Sequence, residues 1–350
     1  MFEAFLTLCM LAGGGVQDDA ACRTMLLPGY ASDTQAACET AVLAHPTDWQ
    51  VRQGAGKAYC VPRPQSSLQF EEASPGVFVH RGAVADPSRT NGGDVSNIAF
   101  VVGDTSIAVI DAGGSRLVGE QLYLAIRERS ALPISHLVLT HMHPDHVFGA
   151  GVLGEAGAEI LGHENLPRAL SDRAEDYERN FATLIGAPGF IGSRVVLPDR
   201  AIVAPETIDL GGRVLDLEPR PTAHTATDLT VYDSTAGILF AGDLVFDEHT
   251  PALDGSLLGW ISLMETLKAF PAKQVVPGHG GPVLTWPDGA EPQREYLEVI
   301  AADTRAALEA GLGLGEAVSA VGQSEAGKWR LFDLFNPRNA TAAYTELEWE

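Results

Sequence analysis

Three histidines and an aspartate fall within six residues in His141-Met-His-Pro-Asp-His146. Imidazole and carboxylate at this density suit a metal centre, because neutral imidazole nitrogen and carboxylate oxygen are ligands for zinc and related ions. Buried without partners, the same groups would be strongly destabilising. As ligands they are satisfied by an ion in front and by hydrogen-bond acceptors behind. The residues that must position them come just before. Ile134 to Thr140 is mostly apolar and branched, which predicts a buried strand, and Val147 onward can begin a helix. Residues two apart at a strand end project to one side, so His141 and His143 can converge on one point. Asp145 and His146 lie past the turn at Pro144 and can face a second point nearby.

Three more candidate ligands follow. His224 lies in Pro221-Thr-Ala-His-Thr225, Asp243 in Phe240-Ala-Gly-Asp-Leu244 and His279 in Val276-Pro-Gly-His-Gly280. Each follows or ends an apolar run, as a loop-borne ligand should. In this order, the motifs resemble the signature of the metallo-β-lactamase superfamily. That resemblance implies an α/β fold, an αββα sandwich of two mixed β-sheets flanked by helices. The strand-rich halves separated by helices agree with it.

The resemblance further implies that His141, His143 and His224 hold one metal, Asp145, His146 and His279 a second, with Asp243 bridging. Two zinc ions are expected, with iron or manganese as alternatives. Such a pair lowers the pKa of a bridging water and so supplies hydroxide, which Asp145 can orient as the catalytic carboxylate. Dedicated β-lactamases of this fold carry Cys or Ser where Asp243 stands, so Asp243 points instead to glyoxalase II-like hydrolases. Along its whole length the chain most resembles the quinoprotein relay system zinc metallohydrolases. Phe246-Asp-Glu-His249 and the Glu-Leu-Glu-Trp-Glu350 ending contribute to that likeness. The expected activity is hydrolysis of an ester, thioester, lactone or related acyl bond in a small-molecule substrate, with a quinoprotein-system component as partner. Two alternatives stand beside it: a mononuclear-iron oxygenase of the same fold, similar to persulfide dioxygenases, and a non-catalytic metal-binding accessory protein.

The charge balance narrows the partners. With 46 Asp and Glu against 23 Lys and Arg, the chain lacks a phosphate-tracking surface, which argues against nucleic acid. It also offers no polybasic handle for anionic membranes. All four cysteines, Cys9, Cys22, Cys38 and Cys60, lie in the first sixty residues. They read as two disulfides stapling a small module, with a structural zinc site as the alternative, although no Cys-x-x-Cys pair is present. Disulfides imply a periplasmic or otherwise extracytoplasmic location. Phe5 to Ala12 reads as a signal-peptide core lacking its basic flank, or else Phe5 to Cys9 is a strand of the module.

Three regions are expected: 1–66, the cysteine-bearing module; 67–290, the catalytic domain; and 291–350, a helical extension packed on it. Val61 to Ser67 reads as a Pro/Ser linker. Ala85 to Ser96 reads as a loop, and the superfamily resemblance implies that it borders the substrate. Asp111, ending a strand, is either an acceptor behind a ligand imidazole or a turn residue. His80 reads as structural, His163 as a helix-entry residue, and His249 as either a pocket or a structural residue. The break after the helix at 166–185 is expected to wall the pocket through Phe190 and Ile191.

Overall fold

Nearly every residue of Ile98–Val102 and Ile107–Ile110 is apolar because both faces of these strands are covered. They lie at the heart of a computed structural model that describes residues 1–10, 21–49 and 57–350. The chain begins with β1 (Phe2–Met10), β2 (Ala21–Ser32), α1 (Gln35–Ala44) and β3 (Tyr59–Pro62), a three-stranded sheet of order β2-β1-β3 with one helix. Cys9–Cys22 joins directly opposed residues of β1 and β2, and Cys38–Cys60 ties α1 to β3. All four cysteines are thereby paired, which leaves none for a structural zinc. The apolar start of the chain is strand through Met10; Leu11 and Ala12 lie outside the described residues.

The Pro/Ser stretch that follows is docked. Ser66 N–H donates to Glu128 Oε1 at 2.6 Å and Ser67 N–H to Gln121 Oε1 at 2.8 Å, both on a helix of the body. That body opens with β4 (Phe70–Ser74), β5 (Val77–His80), β6 (Ile98–Val102), β7 (Ile107–Ile110), α2 (Arg116–Arg129) and β8 (Ile134–Leu139). It continues through α3 (Pro144–Val147), α4 (Ala150–Glu155), β9 (Glu159–His163), α5 (Leu166–Ile185) and β10 (Arg200–Ile202). These strands form one seven-stranded sheet in the order β10-β9-β8-β7-β6-β5-β4, antiparallel from β4 to β7 and parallel from β7 to β10.

The second sheet is built from β11 (Glu206–Asp209), β12 (Val214–Pro219), β13 (Leu229–Asp233), β14 (Ile238–Phe246), β15 (Gln274–His279) and β16 (Leu284–Thr285), in chain order. α6 (Leu257–Leu267) crosses between β14 and β15, and α7 (Glu291–Glu309), α8 (Leu314–Ala320) and α9 (Phe332–Leu347) follow. Period-two alternation divides the core into layers. In β6, Ala99 and Val101 meet Leu217, Val231 and Phe240 of the other sheet, while Ile98 and Phe100 face Leu122 and Ile126 of α2. Behind the second sheet, Trp260, Tyr296, Ile300 and Ala340 form the outer helical layer. The αββα sandwich expected from the sequence is the fold observed.

The cysteine-bearing sheet is held to the body by buried charge. Arg23, next to Cys22, pairs with Glu120 of α2 and donates to the Ile191 carbonyl at 2.7 Å. Arg116 pairs with Glu120 at 3.0 Å and with Glu155 at 2.6 Å, and donates to the Leu26 carbonyl. Breaking such a network by removing one partner leaves an uncompensated buried charge. Glu120→Ala should therefore lose about 3 kcal/mol in urea denaturation, with Glu120→Gln losing less. A loss below about 1 kcal/mol would instead mean that apolar packing alone holds this sheet in place.

Candidate metal centre

Strand pairing determines where the motif sits. β7 and β8 run parallel with Ile110 opposite Val138, and Asp111 N–H donates to the Val138 carbonyl at 2.9 Å. The end of β7 therefore stands beside the end of β8, where Thr140 begins the ligand loop. Asp111 adopts φ +60°, a left-handed conformation that Asp tolerates better than most residues. Its carboxylate turns back onto the loop: Oδ1 accepts from Thr140 N–H at 2.8 Å, and Oδ2 from the Thr140 hydroxyl at 2.8 Å. His146 Nδ1 lies 2.8 Å from the same Oδ2. Of the two roles expected for Asp111, the acceptor behind a ligand imidazole is the one the structure displays.

His141 and His143 belong to the loop after β8 rather than to the strand, yet they converge as expected. His141 Nε2 is 3.1 Å from His143 Nδ1, and His224 Nε2 is 3.0 Å from the same atom. Asp243 Oδ2 lies 3.7 Å from His141 Nε2 and 3.5 Å from His224 Nε2. Pro144 caps the turn into α3, which carries Asp145 and His146 to a second cluster with His279. There, Asp145 Oδ2 lies 3.6 Å from His146 Nε2 and 3.3 Å from His279 Nε2. Asp243 reaches this group too, with Oδ1 3.1 Å from His146 Nε2 and Oδ2 3.4 Å from His279 Nε2. All seven candidate residues thus meet in one place. Two corrections concern the last of them. Asp243 lies inside the continuous strand β14 rather than in a loop, at an irregularity of its pairing with β15, and His279 is the last residue of β15. The neighbour of the Asp243 carboxylate has to be small: a Cβ on Gly278 would come 1.8 Å from Asp243 Oδ1.

The far nitrogen of every imidazole is engaged by an oxygen, which leaves the near nitrogen for an ion. His141 Nδ1 meets the Thr140 hydroxyl oxygen, whose own proton goes to Asp111. His224 Nδ1 donates to the Ala252 carbonyl and His279 Nδ1 to the Val95 carbonyl. His143 Nε2 lies 3.2 Å from Asp254. Neither Thr140 nor Asp254 was singled out by sequence reasoning. Asp254 sits in the Pro-, Asp- and Gly-containing loop after β14, and only the fold brings it to His143.

These residues fit a pair of metal ions. Nitrogen ligands on a tetrahedral zinc lie ~3.3 Å apart, close to the separations above. His146 Nε2 and Asp243 Oδ1 are buried without an aligned hydrogen bond, a costly arrangement for polar atoms with nothing to ligate. The electrostatics agree. Burial, with the neighbouring His143, pushes His224 down to about 3, so it is neutral as a ligand must be. Burial and its imidazole neighbours likewise hold His141 well below the usual range. Against burial, His279, His146 and His141 keep Asp243 ionised well below the carboxylate range. Burial also opposes charge on His279, yet Asp243 and Asp145 raise it to about 9. The carboxylates of this pocket draw positive charge into it.

The centre opens onto a cavity of about 730 Å³. Its walls include Ala85, Asp86 and Pro87 from the early loop, as expected, and Tyr177, Phe181 and Leu184 from α5. Phe190 and Ile191 do not line it. Phe190 is buried behind the wall against Phe148 and Phe181, and Ile191 packs into the core of the cysteine-bearing sheet. The helix is the wall, and the break after it is its buttress. His249 lies against the rings of His279, Phe246 and Phe335 and lines the cavity; its Nδ1 bonds the Thr250 carbonyl. Burial brings its pKa down to about 4. His80 is structural, bridging the Gln69 carbonyl and Asp94, and His163 ends β9, accepting from Asn165 N–H at the entry to α5.

Known proteins resemble this chain to different extents. Over 213 residues the chain is 26% identical to the acyl-coenzyme A thioesterase MBLAC2 of Bos taurus, covering 53% of this chain and 74% of that protein. A metallo-beta-lactamase from Pontibacter korlensis superposes with a TM-score of 0.54 at 23% identity, over 66% of this chain and 99% of that one. The stereoselective inverting sec-alkylsulfatase Pisa1 from Pseudomonas sp. gives a TM-score of 0.62 at 18% identity, over 80% of this chain and 50% of that one. At these identities the two structures speak for the fold alone. Residues 91–279, more than half of the chain and inclusive of all seven candidate ligands, match the metallo-beta-lactamase superfamily, and the chain belongs to that superfamily.

Proposed function

We propose that this protein is a binuclear zinc hydrolase acting on an ester, thioester or lactone of a small acyl compound. The observation that carries this reading is the shared carboxylate: Asp243 stands between two ligand groups and approaches both. His141, His143 and His224 would hold one ion, and Asp145, His146 and His279 the other, with Asp243 common to both. An all-nitrogen and oxygen donor set without thiolate suits zinc. When bound, the ions supply Lewis acidity and lower the pKa of a nearby water.

The chain's own groups do the rest. Asp145 faces the cavity and can accept a hydrogen bond from the attacking water, orienting it toward a carbonyl carbon. Phe181, Leu184, Phe246, Leu253 and Phe335 give the acyl portion an apolar wall and exclude bulk water. The bovine relative is named an acyl-CoA thioesterase, which supports an acyl bond as the target. We further propose an extracytoplasmic setting beside a quinoprotein oxidation system. The two disulfides and the likeness of the whole chain to quinoprotein relay metallohydrolases support that setting. Among the described residues no helix is long and apolar enough to cross a membrane.

Protein purified without added metal should contain two zinc ions per chain by elemental analysis and turn over p-nitrophenyl butyrate or a butyryl thioester. Asp243→Ala should bind at most one ion and lose more than ~100-fold in kcat/KM, since ligands matter more than the groups behind them. A single iron with oxygen uptake would move the protein to the oxygenase alternative, and metal without turnover of any acyl substrate to the accessory one. A separate prediction concerns Asp111. Asp111→Asn keeps the shape and tolerates the positive φ, but its amide cannot accept all three hydrogen bonds. Zinc affinity in a competitive chelator titration should fall ~10- to 100-fold; an unchanged affinity would show that the carboxylate does not act through His146.

A further inference from the structure

The cavity over the metal centre has acidic groups at several points, Asp86, Asp145, Asp243 and Asp254, and a single Lys or Arg among its described lining residues, Arg338. Asp145 and Asp243 belong to the metal groups and Asp254 faces His143, so these three are already spoken for. Arg338 is not. It makes no ion pair or hydrogen bond among the described residues, and its guanidinium lies 5.5 Å from the centroid of the Phe335 ring, also in the cavity wall.

Its backbone is firmly placed. The next residue, Asn339, is buried and holds α9 to the loop after β14: its Oδ1 accepts from Leu253 N–H at 2.9 Å, and its Nδ2 donates to the Pro251 carbonyl and to Tyr296 Oη. Leu253 and Ala252 line the cavity, and the Ala252 carbonyl receives His224. The helix that presents Arg338 is thus bonded to the same loop that orients a candidate ligand. A guanidinium resting on an aromatic face at a cavity mouth is a pre-organised receptor for a carboxylate.

We infer that Arg338 is a specificity-determining residue that binds a carboxylate on the substrate, so that the preferred substrate is an acyl compound with an apolar middle and one anionic end. The inference rests on the hydrolase reading above. The apolar residues that line the same cavity as Arg338 and the candidate ligands, Phe181, Leu184, Leu253 and Phe335, match such an amphipathic molecule. A substrate bearing several negative charges would leave the others beside Asp86, which is close enough to Arg338 to interact with it. The competing role for Arg338 is that same Asp86, as a latch across the mouth, and the two roles differ in whether substrate charge matters.

The test uses the metal-replete full chain and three esters of one length: mono-p-nitrophenyl glutarate, 4-carboxyphenyl pentanoate and neutral p-nitrophenyl pentanoate. One of the two carboxylate esters should have kcat/KM about fivefold above the neutral one, the size expected for an exposed charge pair. Arg338→Met should remove that preference through KM, with kcat and the neutral ester unchanged, and Arg338→Lys should restore part of it. A preference that survives in Arg338→Met overturns the inference, as does an equal loss on charged and neutral esters, which would mark the latch. Binding of glutaramate against pentanamide, followed by calorimetry, reads the same contact without turnover. If no ester is hydrolysed while glutaramate binding still weakens about fivefold in Arg338→Met, the hydrolase reading fails and the carboxylate site stands. If glutaramate binds both proteins equally and Arg338→Met removes no preference for either carboxylate ester, the site falls.

Discussion

The carboxylate of Asp111 is the interaction on which the rest of the centre depends. One side chain, at the end of β7 and at positive φ, accepts a backbone N–H and a hydroxyl from Thr140 at the adjoining strand end and an imidazole from His146 on α3. The backbone bond locks the point where β8 becomes loop. The hydroxyl bond sets the rotor of Thr140, whose oxygen then receives His141 Nδ1 and settles which nitrogen of that ring faces forward. The imidazole bond does the same for His146, a residue of the other ligand group. A single buried anion therefore orients one ligand in each half of the centre. Rotating either ring would break an interaction in a dry environment, where it is worth most.

How much of this was legible in the sequence follows from the range of each interaction. The seven ligand candidates could be read because their types are costly to bury and their spacing is local: His141, His143, Asp145 and His146 share one loop and its short helix. The buried strands could be read because two covered faces leave an apolar run. What escaped were contacts that only the fold creates. Asp254 reaches His143 across more than a hundred residues, and Arg338 reaches the cavity from the opposite end of the chain. An irregular, apolar segment after a helix reads as a pocket lip, yet Phe190 and Ile191 enter two neighbouring cores instead. Hydrophobicity alone cannot say which of two neighbouring cores a side chain will enter. The strand holding Asp243 looked shorter than it is, since Gly242 at φ +53° interrupts the apolar pattern without ending the strand.

The two sheets contribute unequally to the centre, and that has a thermodynamic consequence. His141, His143, Asp145 and His146 follow the seven-stranded sheet, whereas His224, Asp243 and His279 come from the six-stranded one. Any ion held by both sets binds the folded sandwich and has no equivalent site in the unfolded chain. Metal binding must then stabilise the packing of sheet on sheet by mass action. The same arrangement explains why glycine stands at Gly278. Strands β14 and β15 must approach closely enough for Asp243 and His279 to meet, and a methyl group there would occupy the place of a ligand oxygen.

On the function proposed above, chemistry and selectivity are carried by different parts of the molecule. The residues matched to the superfamily end at His279, with the last candidate ligand, and α7 to α9 lie beyond it. Those helices bring no candidate ligand, yet α9 closes one side of the cavity with Phe335, Arg338 and Asn339. Tyr177, Phe181 and Leu184, which also line it, stand on α5, outside both sheets. A floor built on strand ends is rigid, while walls on peripheral helices can change without disturbing it. Asn339 limits that freedom. By bonding Leu253 and Pro251, it makes the position of the wall and the seating of His224 part of one hydrogen-bonded unit, so a change in α9 that moves Asn339 would be felt at the metal centre as well as by the substrate.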